Sequence, residues 1–243
     1  MLKTKSMEFP MRINKYLAHK GIATRKGADV LVETGKVYVN GKKAIIGMQI
    51  TATDVVEVKN AIAQTFDYIL YYKPRGVITH SPAEGETDIL GRIKKDHKIT
   101  NVFPVGRLDK DSEGLILLTN DGRVTERLLS PDAAHEKEYA VTVDKRVTGT
   151  FINALSHGVR IERYVTKPAK AVADKGNERG FTITLTEGKK HQVRRMCAAF
   201  GYQVKSLKRT RMLDFELKSL QPGAKYELNI HEAKAFQQSL GLH

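Results

Sequence analysis

Cysteine is almost missing from this chain, with Cys197 the only one, and tryptophan is missing altogether from its 243 residues. A single thiol builds neither an internal disulfide framework nor a multi-cysteine zinc site, and it points to a reducing compartment, the cytoplasm. Proline is sparse, at 7 residues, and no low-complexity tract or internal repeat occurs. With 41% apolar and 28% charged residues, that composition speaks against disordered and fibrous classes. Long apolar runs are also lacking. Runs such as residues 30–32 and 114–118 are far too short for a bilayer, and the opening MLKTKSMEFP carries charge without a signal-peptide core. Neither secretion nor membrane insertion is expected. A glycine-rich phosphate loop, H-E-x-x-H and G-x-S-x-G are all absent, which removes the usual signatures of nucleotide hydrolysis, metalloprotease and serine-hydrolase chemistry. The 8 histidines are scattered without ligand spacing, so no metal is expected.

Negative charge is the last shortage. Lys and Arg number 41 against 27 Asp and Glu, a net charge of +14, and the sequence pI is near 9.7. A polyanionic partner is the economical reading, set against a basic protein kept soluble by self-repulsion. The excess is uneven: residues 1–60 hold 11 basic and 5 acidic side chains, and residues 189–211 hold 8 basic and no acidic ones.

What is present falls into two modules. Ile13, Tyr16 and Leu17 have helical spacing, and Gly21 stands where a helix would stop. Thr24 reads as the N-cap of a second helix carrying Ala28, Val30, Leu31 and Val32 and ended by Gly35. Residues 37–39 then read as a strand entering an Asn40-Gly41 hairpin turn, and residues 54–58 alternate like another strand. This ααβ unit closes by residue 58, and residues 59–66 form the expected linker. Beyond it, strands are expected at 68–72, 114–119, 138–143, 181–186 and 226–229, and helices at 123–129, 148–156, 189–200 and 231–240. That order is no strict βαβ alternation, so an α+β class with a mixed, largely antiparallel sheet is expected over residues 67–243.

The stretch Val105-Gly-Arg-Leu-Asp109-Lys-Asp-Ser-Glu-Gly-Leu-Ile-Leu-Leu-Thr119 crowds charged side chains into a glycine-flanked loop just before a fully apolar strand. Polar groups at the end of a buried sheet element favour a site, although an isolated Asp there would equally serve a solvated turn.

With Gly106-Arg107-Leu108-Asp109 and Ser112-x-Gly114-Leu115, this stretch resembles the catalytic Asp motif of pseudouridine synthases, which isomerise uridine within RNA. Three further segments match in order. Lys73-Pro74-Arg75-Gly76 resembles the family's first motif, Lys137-Glu138-Tyr139 its tyrosine motif, and the segment from Gly188 through His191, Gln192 and Arg194 to Met196 its arginine motif. The ααβ module resembles the small RNA-binding domain of ribosomal small-subunit protein four. The combination is similar to the RsuA-type family, and the run 200–211 resembles its large-subunit branch. Coverage is nearly the whole chain.

The resemblance implies a cofactor-free isomerisation of one uridine, with structured ribosomal RNA, a stem-loop of the large (23S) subunit foremost, as the partner. No membrane partner is expected, and the chain is expected to act as a monomer. The rival readings are transfer RNA as the substrate and a non-catalytic RNA-binding assembly factor. Asp109 is the implied catalytic group; a free Asp has a pKa of about 3.9, so it is ionised, and it would either attack the sugar or abstract a sugar proton. Arg194 is its expected counter-ion, because guanidinium stays charged and binds carboxylate bidentately. Val193, Met196, Cys197 and Phe200 share one helix face, which puts Arg194 on the flank of the buried stripe and Arg195 toward RNA. Cys197, on the apolar side, reads as a small core residue. Tyr139 is expected to stack on the flipped uracil and to relay its C5 proton, beside the plainer role of a packed aromatic. RNA contacts are expected from Arg12, Lys15, Arg25 and Lys26 at the two helix starts of the first module. In the second they are expected from Lys73, Arg107, Lys137, His191, Gln192, Arg195, Lys208, Arg209 and Arg211.

Overall fold

The computed structural model describes residues 7–59, 65–130 and 134–242; most of the expected linker, residues 60–64, and the first six residues of the chain lie outside the described residues. In chain order the elements begin with β1 (Met11–Arg12), α1 (Ile13–His19), α2 (Arg25–Glu33), β2 (Val37–Val39), β3 (Lys42–Lys43), β4 (Gln49–Ile50) and β5 (Val56–Val58). Then come β6 (Tyr68–Lys73), α3 (Ile89–His97), β7 (Phe103–Val105), β8 (Glu113–Thr119), α4 (Gly122–Leu129), β9 (Lys137–Val143) and α5 (Gly149–Ser156). The rest are β10 (Arg160–Ile161), β11 (Tyr164–Val165), β12 (Lys170–Ala173), β13 (Gly180–Leu185), α6 (Gln192–Ala198), β14 (Val204–Met212), β15 (Phe215–Glu216), β16 (Lys225–Glu227) and α7 (Ile230–Ser239). No helix among the described residues is long and apolar enough to cross a membrane.

Two compact units result. One gathers the chain up to Tyr68 together with Thr119–Leu129 and Leu228–His243. Its helices form for the reasons the sequence offers. Ile13 and Leu17 are buried one turn apart in α1, as are Ala28 and Val32 in α2, and the Thr24 hydroxyl caps α2 by accepting from Gly27 N at 3.0 Å. Asn40 and Gly41 both have positive φ, at 50° and 76°, the requirement of a type I′ hairpin turn between β2 and β3. The two later segments join this unit through a polar knot. Asp121, at the start of α4, accepts from Arg123 Nη2 at 2.8 Å and from Tyr68 OH at 2.7 Å, while Gln237 of α7 donates to the same Tyr68 oxygen at 2.7 Å. Burial and that carboxylate push the Tyr68 phenol above its ordinary range.

The other unit is built on a nine-stranded sheet whose path runs β12-β13-β9-β14-β8-β6-β16, with β15 beside β14 and β7 beside β8. The sheet is mixed: β9, β13 and β14 pair antiparallel, whereas β14 lies parallel to β8. All six residues of β6 are buried. One core cluster places Val141, Phe181 and Ile183 against Phe151 and Leu155 of α5 and against Val193, Met196 and Cys197 of α6. The other packs Ile69, Tyr71, Ile116 and Leu118 against Ile89 and Ile93 of α3. Cys197 is a core residue as expected, and burial pushes its thiol up to about 12.

Two expectations change here. The helix expected over 189–200 begins only at Gln192, because His191 takes a left-handed conformation, φ 53°, at its N-cap. The C-terminal half of the basic stretch 189–211 is largely β14, the longest strand described. Its alternation is carried by basic residues, and at one inward position the buried side chain is an arginine, Arg209. A period-two pattern written with arginines does not read as a core strand.

Candidate active site

The loop between β7 and β8 carries Asp109. Gly106 turns the chain with φ 79°, Leu108 buries its side chain as an anchor, and Asp109 closes a tight turn by accepting from Ser112 N at 3.0 Å. The segment after β6 grips this loop on both sides of the carboxylate. Thr79, itself buried, donates its hydroxyl to Leu108 O at 2.6 Å and accepts from Leu108 N at 3.1 Å, and Gly76 N donates to Lys110 O at 2.8 Å. The Asp109 side chain itself is 33% exposed, a group held by its backbone and open to a ligand. Behind it, Gly114 at φ 109° lies against β14; a Cβ there would collide with the carbonyl of Arg209 and approach its nitrogen to 2.6 Å. The glycine of the motif is therefore a packing requirement.

Cations crowd the same loop. Lys73, at the end of β6, is fully buried, with Nζ donating to Val77 O at 2.7 Å and Pro74 O at 3.0 Å. Burial pulls its pKa down to about 8, and Asp109 is the leading charge that opposes the shift. Arg209 is 2% exposed and donates from Nε to Leu115 O at 2.6 Å and from Nη1 to Arg107 O at 3.5 Å. Lys137, at the start of β9, is half-buried; its Nζ donates to His135 O at 2.9 Å, and burial, with Arg209 nearby, lowers its pKa. These placements correct the expectation of RNA contacts at Lys73 and Arg209. A cation shut from solvent and engaged by main-chain carbonyls has no face for a phosphate; Lys73 closes its own turn, and Arg209 ties β14 to the segments at Arg107 and Leu115.

The arginine motif arrives on α6. Arg194 donates to Asp111 O at 3.1 Å, Ser112 Oγ at 3.4 Å and Val204 O at 3.3 Å, so it braces the catalytic loop beside the carboxylate. The expected Arg194–Asp109 ion pair does not form. Among the described residues the contact to Asp109 comes from His191, whose Nε2 lies 3.3 Å from Oδ1. Gln192 is buried rather than facing a ligand: its amide nitrogen donates to Glu187 at 2.6 Å and its carbonyl accepts from Lys189 N at 2.9 Å, which fixes the loop preceding α6. Arg195 pairs with Glu162 at 2.8 Å and lies over the Tyr164 ring. Arg211 likewise pairs with Glu136 at 2.7 Å. Arg107 is exposed, and Lys208 lies over the Tyr72 ring. Tyr139 sits on β9 opposite Ile183 and Arg209, half-buried, where it packs against both core clusters. In the first unit Arg12, Arg25 and Lys26 are exposed and Lys15 is half-buried.

Sequence reasoning missed Thr79, Ser112 as an acceptor for Arg194, and the turn of His191 toward Asp109. A buried Thr three residues after the first motif carries no local signal. The odd His before Gln192 does, because a non-glycine residue stopping a helix start is a feature of sites.

The chain matches known proteins over this whole arrangement. Residues 67–199 match the RNA pseudouridylate synthase family, and residues 11–56 match the S4 domain. The dual-specificity RNA pseudouridine synthase RluF of Escherichia coli (strain K12) is 43% identical over 218 residues, covering 88% of this chain and 73% of that protein. The ribosomal large subunit pseudouridine synthase B of Bacillus subtilis (strain 168) is 36% identical over 230 residues, covering 92% and 94%. A solved structure described as a pseudouridylate synthase superposes with a TM-score of 0.67 at 29% identity, over 95% of this chain and 99% of the other. With its Asp109 loop, tyrosine strand and arginine helix on one sheet and an S4 domain ahead of them, the chain belongs to the RsuA-type RNA pseudouridine synthases, enzymes that isomerise uridine to pseudouridine in RNA.

Proposed function

We propose that this enzyme isomerises a specific uridine in structured ribosomal RNA, in a stem-loop of the large subunit, and that Asp109 is its catalytic carboxylate. The observation that carries the catalytic assignment is the double grip on the Asp109 loop: Thr79 on Leu108 and Gly76 on Lys110 pin the backbone either side of a carboxylate that is still 33% exposed. Such preorganisation is what a group acting only at the transition state needs. The reaction breaks the N1–C1′ bond, forms C5–C1′, loses the C5 proton and protonates N1, with no net oxidation. Asp109 acts at the sugar, either as nucleophile or as base toward a sugar proton. Tyr139 stacks on the uracil and relays the C5 proton, and Arg194 holds the loop through Asp111 and Ser112. Residues 1–58 act as the RNA-binding module, 59–66 as the linker and 67–243 as the catalytic domain, in a cytoplasmic monomer.

Large-subunit RNA is supported by the Bacillus subtilis relative, which is named for the ribosomal large subunit and spans nearly the same length. A second RNA substrate is favoured by one observation, the dual-specificity name of the Escherichia coli relative, and transfer RNA is the rival substrate to test. Replacing Asp109 by Asn keeps shape and removes charge, so turnover should fall below detection while RNA affinity changes little. Measurable turnover in the purified variant would remove Asp109 from the chemistry. Mapping pseudouridines in ribosomal and transfer RNA from cells with and without the gene identifies the substrate; unchanged large-subunit RNA would overturn that part of the reading.

A further inference from the structure

The motif that brings Arg194 to the loop brings another side chain closer to the reacting group. His191 stands at the N-cap of α6 in the left-handed region, φ 53°, a conformation that costs energy in a side-chain-bearing residue and persists only where its surroundings impose it. The surroundings are on both sides. Gln192 ties the preceding turn through Lys189 N and Glu187, and α6 is anchored in the core by Val193, Met196 and Cys197. The result is that Nε2 of His191 lies 3.3 Å from Oδ1 of Asp109. That distance sets the edge of the imidazole against the carboxylate. Arg194, three residues on and so on the same side of the helix, meets Asp111 and Ser112. One turn of α6 thus spans residues 109–112, with the arginine on the backbone and the histidine on the carboxylate.

We infer that His191 is a positioning residue for Asp109, orienting its carboxylate for reaction, and not a contact to RNA phosphate. The inference rests on Asp109 being the catalytic carboxylate. The backbone clamps from Thr79 and Gly76 fix where Asp109 begins; they do not reach its side chain, and among the described residues the side chain within ion-pair distance of the carboxylate is His191. A misplacement near 1 Å in a reacting group costs up to about a hundredfold in rate.

The test uses the full chain and an RNA stem-loop bearing the mapped uridine, with single-turnover rate at saturating RNA, RNA affinity and its salt dependence measured together. His191→Asn tolerates the left-handed backbone but is too short to reach the carboxylate, and His191→Gln restores a reaching N–H donor. The Asn variant should lose roughly ten- to a hundredfold in saturating rate at unchanged affinity and salt slope, and the Gln variant should recover part of it. A side chain 49% exposed leaves the melting temperature nearly unmoved in both, which separates positioning from folding. An unchanged saturating rate in the Asn variant overturns the inference. So does a loss confined to affinity with a flattened salt slope, the mark of a phosphate contact. Asp109→Asn, run alongside, separates the two levels: turnover in that variant overturns the catalytic reading and this inference with it, whereas a dead Asp109→Asn beside a fully active His191→Asn overturns only the inference.

Discussion

Lys73 is the residue whose chemistry the fold changes most. Its ammonium is fully buried, and its pKa falls from an ordinary 10.5 to about 8. A base whose folded pKa is depressed is less protonated folded than unfolded between those two values, so unfolding takes up protons there and stability rises with pH across that window. Below it both states are protonated and the burial penalty is constant. Tyr68, Tyr71 and Tyr72, whose phenols are raised by burial, act in the opposite sense above about pH 10, so the useful range stops short of them. Chemical denaturation should show the natural protein gaining on the order of 2 kcal/mol relative to Lys73→Met between about pH 7.5 and 9.5. Parallel pH profiles in the two proteins would mean that the lysine does not titrate in this window. The residue that looked like a phosphate contact in sequence is in this way a structural charge, which carbonyls of Pro74 and Val77 and the nearby Asp109 make tolerable.

Among the elements, the parallel contact of β8 with β14 decides whether the site exists. Glu113 and Gly114 register with Lys208 and Arg209, and the strands approach so closely at Gly114 that no side chain fits. Gly114→Ala would place its Cβ against Arg209 backbone at a φ reserved for glycine, and should cost at least about 3 kcal/mol or prevent folding, because neither strand backbone can yield. Gly76 is the control: its φ is 87°, yet nothing lies within 4 Å of a Cβ built there, so Gly76→Ala should cost only the backbone term, about 1 to 2 kcal/mol. Denaturation midpoints followed by far-ultraviolet circular dichroism distinguish the two, and equal losses would show that the strand contact is not the constraint. The Asp109 motif shows why motifs mix roles. In one short sequence, Gly106 turns the loop, Asp109 is presented by it, and Gly114 lets the next strand close behind.

At the scale of the whole molecule, charge and chemistry are divided. Residues 1–60 hold +6 and none of the catalytic candidates, and their exposed Arg12, Arg25 and Lys26, with half-buried Lys15, stand at the starts of α1 and α2. Each phosphate contact contributes about 0.7 to 0.9 to the slope of log affinity against log salt. Replacing Arg12, Lys15, Arg25 and Lys26 together by Gln should therefore flatten that slope by roughly 3 and raise the RNA concentration needed for half-maximal rate. Filter binding at several salt concentrations checks it, and an unchanged slope would remove these four from the RNA interface. The paired Arg195 and Arg211 are poorer candidates for the same task, since each must first give up a carboxylate partner.

The two helices of the first module, the cap at Thr24, the Asn40-Gly41 hairpin and the places of β6, β8, β9, β13, α4, α5 and α7 were determined by the sequence alone. These depend on neighbours a few residues apart, and local rules of spacing, capping and turn geometry reach that far. The family motifs likewise placed Asp109, Tyr139 and Arg194 in one enzyme. What each side chain does within it came only from tertiary structure. Arg209 looked like its basic neighbours until β14 was inserted between β8 and β9, which buried it. His191, and not Arg194, came to stand beside Asp109, where α6 starts three residues later than periodicity suggests, and the angle of a helix start is set by the core it packs on. Residues 119–129 and 228–243 joined the first unit through Asp121, Arg123, Tyr68 and Gln237, contacts spanning up to 169 positions of chain. Pairings at that separation leave no periodic trace in the sequence, because the burial and hydrogen bonding that select them arise only when distant segments meet.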